Sequence, residues 1–247
     1  MKYKALFLDL DGTAVLPFSD VPQPRVVNAV GKIRDRVTVC LATGRLIYQI
    51  QSILEVLQIN GLCVVANGIQ IYDPVTKTVL REIGLSRQDI PQIYATLQKH
   101  KIRVRVFDGK NDAPYEKEKR TKILSFFNEA VPTEHVDAVK EDLSVLSDVI
   151  VHKLLSREKG CNGLEVCHAT ATKQHGIFEA AKILGINTHE IIGVGDGYND
   201  FPLLSACGLK IAMGNAVPEL KAIADFIAPS VEDDGVAVVI EKFLLTD

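Results

Sequence analysis

The sequence has no excess of positive charge, because its 28 lysine and arginine residues stand against 31 aspartate and glutamate residues, for a net charge of −3. Proteins that bind nucleic acids or anionic membranes usually carry a basic excess. No apolar run approaches the roughly 20 residues that a bilayer-spanning helix needs. The first residues lead into a short apolar run that contains aspartates, which the core of a secretory signal peptide does not carry. We therefore expect a cytoplasmic protein without nucleic-acid or membrane partners.

Cysteine pairs and histidines at metal-binding spacing are absent as well. The five cysteines are odd in number and scattered, without a C-x-x-C pair, so we predict reduced core residues rather than disulfides. The six histidines show no zinc-ligand spacing and are predicted at the surface or in the core, although His175 lies close in sequence to Lys173, discussed below. The cysteines are Cys40, Cys63, Cys161, Cys167 and Cys207.

What the sequence does contain is an alternation of short apolar runs with amphipathic segments. Over residues 46–57 and 177–184, apolar side chains recur at intervals of three and four, which is typical of one helical face. Strand, helix and strand in succession indicate an α/β fold, a doubly wound, Rossmann-like parallel sheet with helices on both faces. The predicted strands of this sheet are residues 5–10, 37–42, 62–66, 190–194 and 209–212.

The middle of the chain has a different pattern. Residues 102–107 alternate apolar and charged, as in a sheet with one face in water. Two strand-like segments, 148–155 and 164–168, flank a turn predicted at residues 160–163. Helices are predicted at residues 86–100 and around 133–146. We therefore expect an α/β core formed by residues 1–82 and 172–247, interrupted by an α+β cap domain at residues 83–171.

Polar residues follow the strands of the predicted core. In open α/β sheets, ligands bind beyond the carboxyl ends of the strands. Clusters follow the first, second and fourth core strands, and a lysine begins the helix before the fourth, so we expect one site at one rim. The residues concerned are Asp9, Asp11, Thr43, Gly44, Arg45, Lys173, Asp196, Asn199 and Asp200.

The four aspartates of this set indicate a metal ion. Like charges in one crevice repel and take up protons unless a cation lies among them. Oxygen ligands without a histidine or cysteine cluster favour a hard divalent ion, and a few carboxylates with room for water and phosphate oxygens suit Mg²⁺ better than Ca²⁺. We therefore predict a Mg²⁺ site at Asp9, Asp11, Asp196 and Asp200.

The remaining residues indicate an anion site. Thr43 offers a hydroxyl, and the backbone of Thr43 and Gly44 offers amides at a predicted helix start. Lys173 supplies a point charge for a phosphoryl oxygen. Arg45 is open between a substrate contact and a structural ion pair, and we place it at the site. Metal, carboxylates, lysine and amide donors together indicate phosphoryl transfer.

These segments resemble the four motifs of the haloacid dehalogenase (HAD) superfamily, in that family's order: Asp-Leu-Asp-Gly-Thr, Ala-Thr-Gly-Arg, a later lysine and Gly-Asp-Gly-Tyr-Asn-Asp. The insert after the third strand is similar to that of type IIB-capped members, the Cof-like sugar-phosphate phosphatases and their archaeal phosphoglycolate phosphatase relatives. Asn67 and Gly68 also fit the Cof-like pattern. The third motif departs from the usual Lys-Gly, because Gln174, His175 and Gly176 follow Lys173.

The resemblance implies roles for the carboxylates. Asp9 is expected to be the nucleophile that forms an aspartyl-phosphate, and Asp11 the general acid and then base, with a pKa held above that of a free aspartate by neighbouring negative charge. Mg²⁺ is expected on the Asp9 carboxylate, the Asp11 backbone carbonyl and Asp196, with Asp200 binding it directly or orienting the ligands.

It also implies that Thr43 and Lys173 hold the transferring phosphoryl group and that Asn199 orients it. The expected activity is Mg²⁺-dependent hydrolysis of a small soluble phosphate ester, of the sugar phosphate or phosphoglycolate type. A phosphomutase is the alternative within phosphoryl transfer. A signalling or binding module phosphorylated on Asp9 is a further alternative, disfavoured by the large insert and by Lys173 together with Asp196 and Asp200. Monomer and homodimer remain open.

Overall fold

The computed structural model describes residues 2–116 and 122–245. These fall into two compact units, one formed by Met1–Arg81 and Thr172–Asp247 and the other by Glu82–Ala171. Each unit has its own hydrophobic core.

The first unit is built on an eight-stranded sheet in the order β13-β12-β11-β1-β2-β3-β4-β5. Its central strands are parallel, since β1 pairs in parallel with both β2 and β11, and parallel pairing continues to β3 on one side and β13 on the other. The strands are β1 (Ala5–Leu8), β2 (Thr38–Ala42), β3 (Cys63–Val65), β4 (Gln70–Asp73), β5 (Thr78–Glu82), β11 (Ile191–Gly195), β12 (Leu209–Ala212) and β13 (Phe226–Ile227).

The side of the sheet beyond β3 departs from the predicted parallel sheet. β4 pairs antiparallel with β3, because the chain reverses at Ala66–Gly68 instead of crossing over through a helix, and β5 lies beside β4. Antiparallel neighbours can be joined by a tight turn, whereas parallel neighbours need a long crossover.

Helices cover this sheet in two groups. α1 packs against α2 and α8, while α5 packs against α6. β1 is fully buried, as strands covered on both faces are. This confirms the predicted doubly wound α/β class. The helices are α1 (Pro24–Ile33), α2 (Ile47–Leu57), α5 (Lys173–Leu184), α6 (Phe201–Ala206), α7 (Pro218–Ala222) and α8 (Gly235–Phe243).

The second unit is a five-stranded antiparallel sheet in the order β7-β6-β8-β10-β9 with two helices. α4 contacts β8, β9 and β10, and also α3, and the core between them contains Leu97, Phe126 and Val166. The elements are α3 (Ile90–Lys99), β6 (Arg105–Phe107), β7 (Asp112–Pro114), β8 (Ser125–Pro132), α4 (Thr133–Leu143), β9 (Val149–Leu154) and β10 (Cys161–His168).

The predicted hairpin in this unit exists, but the turn predicted at residues 160–163 is wrong. Cys161, Asn162 and Gly163 belong to β10, and Gly163 pairs with Leu154, so the connection is residues 155–160. The Asn162 side chain donates to the carbonyl of Leu154 in β9 at 3.3 Å and accepts from the hydroxyl of Thr133, the first residue of α4, at 2.7 Å. Turn-forming residue types therefore stand inside a strand here.

The structure also bears on two further expectations, which concern membrane-spanning helices and the state of the cysteines. Within residues 2–116 and 122–245, no helix is both long enough and apolar enough to span a bilayer. All five cysteines are free thiols, and four of them are buried; Cys161, at the start of β10, is half-buried instead.

Candidate active site

The predicted site residues after β1, β2 and β11 lie at one edge of the first sheet, because these neighbouring strands run parallel. Asp9 continues β1 with its amide bonded to the carbonyl of Val194 at 3.0 Å. Thr43 continues β2 with its amide bonded to the carbonyl of Val64 at 2.9 Å. Asp196 follows β11 directly.

Lys173 lies at the centre of the site. Its side chain is 1% exposed, and Nζ donates to Oδ1 of Asp9 and to Oδ1 of Asp200, both at 2.6 Å. Lys173 is the first residue of α5, and Thr172 caps that helix by accepting from the His175 amide at 3.2 Å. The His175 ring also bonds the Thr172 hydroxyl at 2.8 Å. The unusual third motif is thus an N-capped helix start that places Lys173 in the core.

Asp200 is fully engaged by the protein. Besides Lys173 on Oδ1, its Oδ2 accepts the backbone amides of Asp196 and Gly197, each at 2.9 Å. The carboxylate therefore shapes the loop after β11 and orients Lys173 at the same time.

Asp196 is held by two residues that the sequence reasoning did not assign. The Thr13 hydroxyl donates to Oδ1 at 3.2 Å, and Nδ2 of Asn215 donates to Oδ2 at 3.2 Å. Gly12, with φ of +81°, leaves space for this carboxylate, since a Cβ there would lie 2.3 Å from Asp196 Oδ2. The position of Asn215 just after β12, at the carboxyl end of another core strand, is the signal that could have indicated it.

The electrostatics show an excess of negative charge around Lys173. Burial and then the neighbouring Asp200 raise the pKa of Asp9 well above its ordinary value. The same two causes raise the pKa of Asp196 to about 7. Burial alone lowers the pKa of Lys173, but Asp200 and Asp9 outweigh it and raise that pKa. One ammonium group does not compensate three carboxylates in this environment.

Three carboxylates could hold a metal ion together. One oxygen each from Asp9, Asp196 and Asp200 lies within 4.8 Å of the others, and this is the only such group of metal-binding side chains in the described part of the chain. Oxygen-only donors fit Mg²⁺. The side chain of Asp11 does not belong to this group.

Asp11 is instead paired with Arg45. Nε of Arg45 donates to Oδ2 of Asp11 at 2.8 Å and Nη2 donates to Oδ1 at 2.7 Å, a bidentate ion pair. Arg45 also bonds Asp20 at 2.5 Å and the carbonyl of Ser19 at 2.7 Å, and the Phe18 amide donates to Asp11. Hydrogen bonding to Asp11 raises the pKa of Arg45 despite partial burial. Arg45, which the sequence left open between a substrate contact and an ion pair, thus contacts the carboxylates of Asp11 and Asp20.

The loop expected to bind phosphate, residues 43–46 (the phosphate loop), directly precedes helix α2, which begins at Ile47. Thr43 is buried, and its hydroxyl accepts the Arg45 amide at 3.1 Å. Since the Thr43 amide extends the sheet, the Gly44 amide is the one backbone donor of this loop without a partner among the described residues.

Asn199 is drawn to a residue outside the four motifs. Its Nδ2 donates to Oδ1 of Asn67 at 3.1 Å. Asn67 lies just after β3, in the Asn-Gly sequence that fits the Cof-like pattern.

The sequence matches the family model of haloacid dehalogenase-like hydrolases in two overlapping segments, residues 6–159 and 110–240, which together cover most of the chain. This chain belongs to the haloacid dehalogenase-like hydrolase family. The resemblance seen in the motifs is thereby confirmed.

Full-length relatives agree with this assignment. The hydrolase is 25% identical over 268 residues to YxeH of Bacillus subtilis, covering 98% of this chain and 99% of that protein. It is 26% identical over 259 residues to YcsE of the same species, a 5-amino-6-(5-phospho-D-ribitylamino)uracil phosphatase, covering 98% and 96%. The family and its phosphatase relatives confirm the predicted enzyme class, a phosphatase.

Among solved structures, the fold is similar to that of the subclass IIB sugar phosphatase BT4131. The TM-score is 0.82 at 20% identity, and the match covers 98% of this chain and 100% of that one. At this identity the likeness concerns the fold.

Proposed function

We propose that this hydrolase is a Mg²⁺-dependent phosphomonoesterase that acts on a small soluble organic phosphate in the cytoplasm, with Asp9 as the nucleophile. The observation that carries the proposal is the contact of Lys173 with Oδ1 of Asp9 at 2.6 Å, in a buried site next to Asp196. Oδ1 is held in a fixed direction, and Oδ2, which has no hydrogen bond among the described residues, is left to attack phosphorus.

Asp9, Asp196 and the backbone carbonyl of Asp11 would hold Mg²⁺. Asp200 accepts short bonds from the Lys173 ammonium and from two backbone amides, at 2.6 and 2.9 Å, whereas among the described residues Asp196 accepts only two neutral side-chain donors at 3.2 Å. We therefore assign Asp200 to orienting Lys173 and the loop after β11, and Asp196 to the metal. When bound, Mg²⁺ neutralises charge on the carboxylates and on the phosphoryl oxygens.

The reaction would proceed in two displacements. Asp9 Oδ2 forms a bond to phosphorus as the ester P–O bond breaks, and Asp11 gives a proton to the departing alkoxide. Asp11 then takes a proton from water, whose oxygen attacks the aspartyl-phosphate and releases inorganic phosphate and the Asp9 carboxylate. The bidentate contact of Arg45 would hold the Asp11 carboxyl group in place for both steps.

The phosphoryl group would be bound by the remaining donors. The Gly44 amide and the Lys173 ammonium would donate hydrogen bonds to the phosphoryl oxygens and so stabilise the charge that develops during phosphoryl transfer. Thr43 and Asn199 complete the set. We do not assign Arg45 to the phosphate, because its hydrogen bonds go to Asp11, Asp20 and Ser19.

A phosphate ester of a sugar or polyol is the proposed substrate class. YcsE is a phosphatase of a phosphoribityl compound and BT4131 is a sugar phosphatase, and both match nearly the whole chain. Phosphoglycolate is a smaller substrate of the same chemistry, suggested by the resemblance of the motifs.

The test is a panel of phosphorylated metabolites with release of inorganic phosphate as the readout, using the wild type and Asp9→Asn. We expect the wild type to release phosphate from at least one sugar or polyol phosphate, with Asp9→Asn inactive although its melting temperature shows a folded protein. An isomerised sugar phosphate without phosphate release would indicate a mutase. Turnover by Asp9→Asn would show that the nucleophile is misassigned.

A further inference from the structure

The turn after β3 has an uncommon backbone. Ala66, Asn67 and Gly68 follow one another with φ of +48°, +53° and +105°. Asparagine tolerates the left-handed region better than most residues, but alanine seldom adopts it. Such conformations persist where surrounding contacts impose them, and they concentrate at functional sites.

The contacts that impose this turn come from two segments of the site. The Asn67 amide donates to the carbonyl of Thr43 and the Ala66 amide to the carbonyl of Arg45, both at 3.0 Å. On its other side, Gly68 lies so close to Thr172 that a Cβ would be 2.3 Å from the Thr172 carbonyl oxygen. The turn therefore fits between the phosphate loop and the residue that precedes Lys173.

The side chain of Asn67 adds a third segment. It is 1% exposed, and its Oδ1 accepts from Nδ2 of Asn199, in the loop after β11. It also packs on Gly44, where a Cβ would lie 3.2 Å from the same oxygen. A glycine at position 67 would satisfy the backbone, so the backbone alone does not require this carboxamide.

We propose that Asn67 is a positioning residue for phosphate binding. Its carboxamide fixes the orientation of the Asn199 side-chain amide. Its contact with Gly44 restricts the orientation of the Gly44 backbone amide in the Thr43–Gly44 loop. The inference rests on the proposed function, since it assigns these groups to the phosphoryl oxygens. Asn67, a residue outside the four motifs, would then belong to the groups that position the phosphoryl oxygens.

Three variants separate this role from a structural one. Asn67→Gly keeps the left-handed backbone and removes the carboxamide. Asn199→Ala removes the same hydrogen bond from its other side. Lys77→Gly is the matched control, because Lys77 also has positive φ, at +55°, but is exposed in the turn between β4 and β5.

The measurements are KM and kcat with p-nitrophenyl phosphate, and the dissociation constant of inorganic phosphate by titration calorimetry with Mg²⁺ present. We expect Asn67→Gly and Asn199→Ala each to raise KM and the dissociation constant about threefold to tenfold, the usual range for one lost hydrogen bond. The double variant should lose less affinity than the product of the two single losses, since the two side chains share the Asn67–Asn199 hydrogen bond. Lys77→Gly should match the wild type.

Unchanged phosphate affinity in Asn67→Gly would overturn the proposal, as would a double variant whose loss is the product of the single losses. If Asn67→Gly does not fold, Asn199→Ala decides, and unchanged KM and phosphate affinity there would overturn it equally. Failure of the proposed function is a different result, in which the wild type releases no phosphate from any ester.

Discussion

The ammonium group of Lys173 lies 2.6 Å from Oδ1 of Asp9, although 164 positions separate the two residues in the chain. The same nitrogen lies 2.6 Å from Oδ1 of Asp200. One buried cation thus joins the ends of β1 and β11 to the start of α5. This contact fixes Asp9, the loop after β11 and Lys173 relative to one another.

Replacing Lys173 is expected to cost stability as well as activity. Lys173→Met leaves buried carboxylates without their partner, and removing one member of a buried pair costs about 3–5 kcal/mol. Asp9, whose pKa is already raised by burial, would then bind a proton more readily in the folded state than in the unfolded state. Stability gained in this way is present at low pH and lost as pH rises through the raised pKa, so the deficit should be larger at pH 8 than at pH 5.

Urea unfolding with EDTA present measures this effect. Lys182→Met is the control, because Lys182 lies on the same helix but is exposed, and its loss should change stability by less than about 0.5 kcal/mol. Equal stability of the two variants at pH 8 would contradict a compensating role for Lys173.

Arg45 is expected to act on catalysis through Asp11. Asp11→Asn should lower kcat by about 10² to 10⁴, the usual range for a general acid–base group. Arg45→Lys loses the bidentate geometry and should lower kcat in the wild-type background, but should have little effect in the Asp11→Asn background. The measurement is kcat as a function of pH for both single variants and the double variant. Equal losses in both backgrounds would mean that Arg45 contacts the substrate instead.

Removing the divalent ion should abolish turnover. EDTA is expected to stop phosphate release, and Mg²⁺ should restore it while raising the melting temperature, because an ion that binds only the folded state stabilises it by about 2.7 kcal/mol at a hundred times its dissociation constant. Asp196→Asn should weaken this response. Asp148→Asn, at an exposed position of the second unit, is the control. A full response to Mg²⁺ in Asp196→Asn would place the ion elsewhere.

Native cysteine reactivity should be confined to one residue. Burial raises the pKa of Cys63 to about 12 and keeps the thiols of Cys40, Cys167 and Cys207 protonated, so these four should react slowly with a thiol reagent. Cys161 is half-buried and should react first. The check is a timed reaction with 5,5′-dithiobis(2-nitrobenzoate), in which Cys161→Ser should lose the fast phase and urea should expose every remaining thiol. A second fast thiol in the native protein would contradict this.

The elements of the core could be predicted because their patterns are local. The helix predicted from the spacing of residues 46–57 is α2 at Ile47–Leu57, and the strand predicted at residues 209–212 is β12 at Leu209–Ala212. Turn chemistry was less reliable. Gly163 suggested a turn but lies within β10, because pairing with Leu154 outweighs its intrinsic preference.

The sequence could predict which candidate residues lie near one another, but it could not predict most of the contacts between them. Polar residues after apolar strands identify Asp9 and Asp196, since parallel strands bring their carboxyl ends together. Nothing local to Asp11 shows that its partner is Arg45, 34 positions away, or that both oxygens of Asp200 are engaged. The contacts of Asn67 and Asn215 could not be predicted, because both residues lie outside the four motifs and in loops without charged residues that would have drawn attention to a site.

The sequence by itself determined the alternation of strands and helices, the polar strand ends and the family, because each depends on residue types at short, fixed spacings. Only the tertiary structure decided which carboxylate shares the ammonium of Lys173, which one is paired with a guanidinium, and how a left-handed turn joins three loops. These are distances between atoms remote in the chain, and they depend on how the strands are ordered and how closely the loops pack.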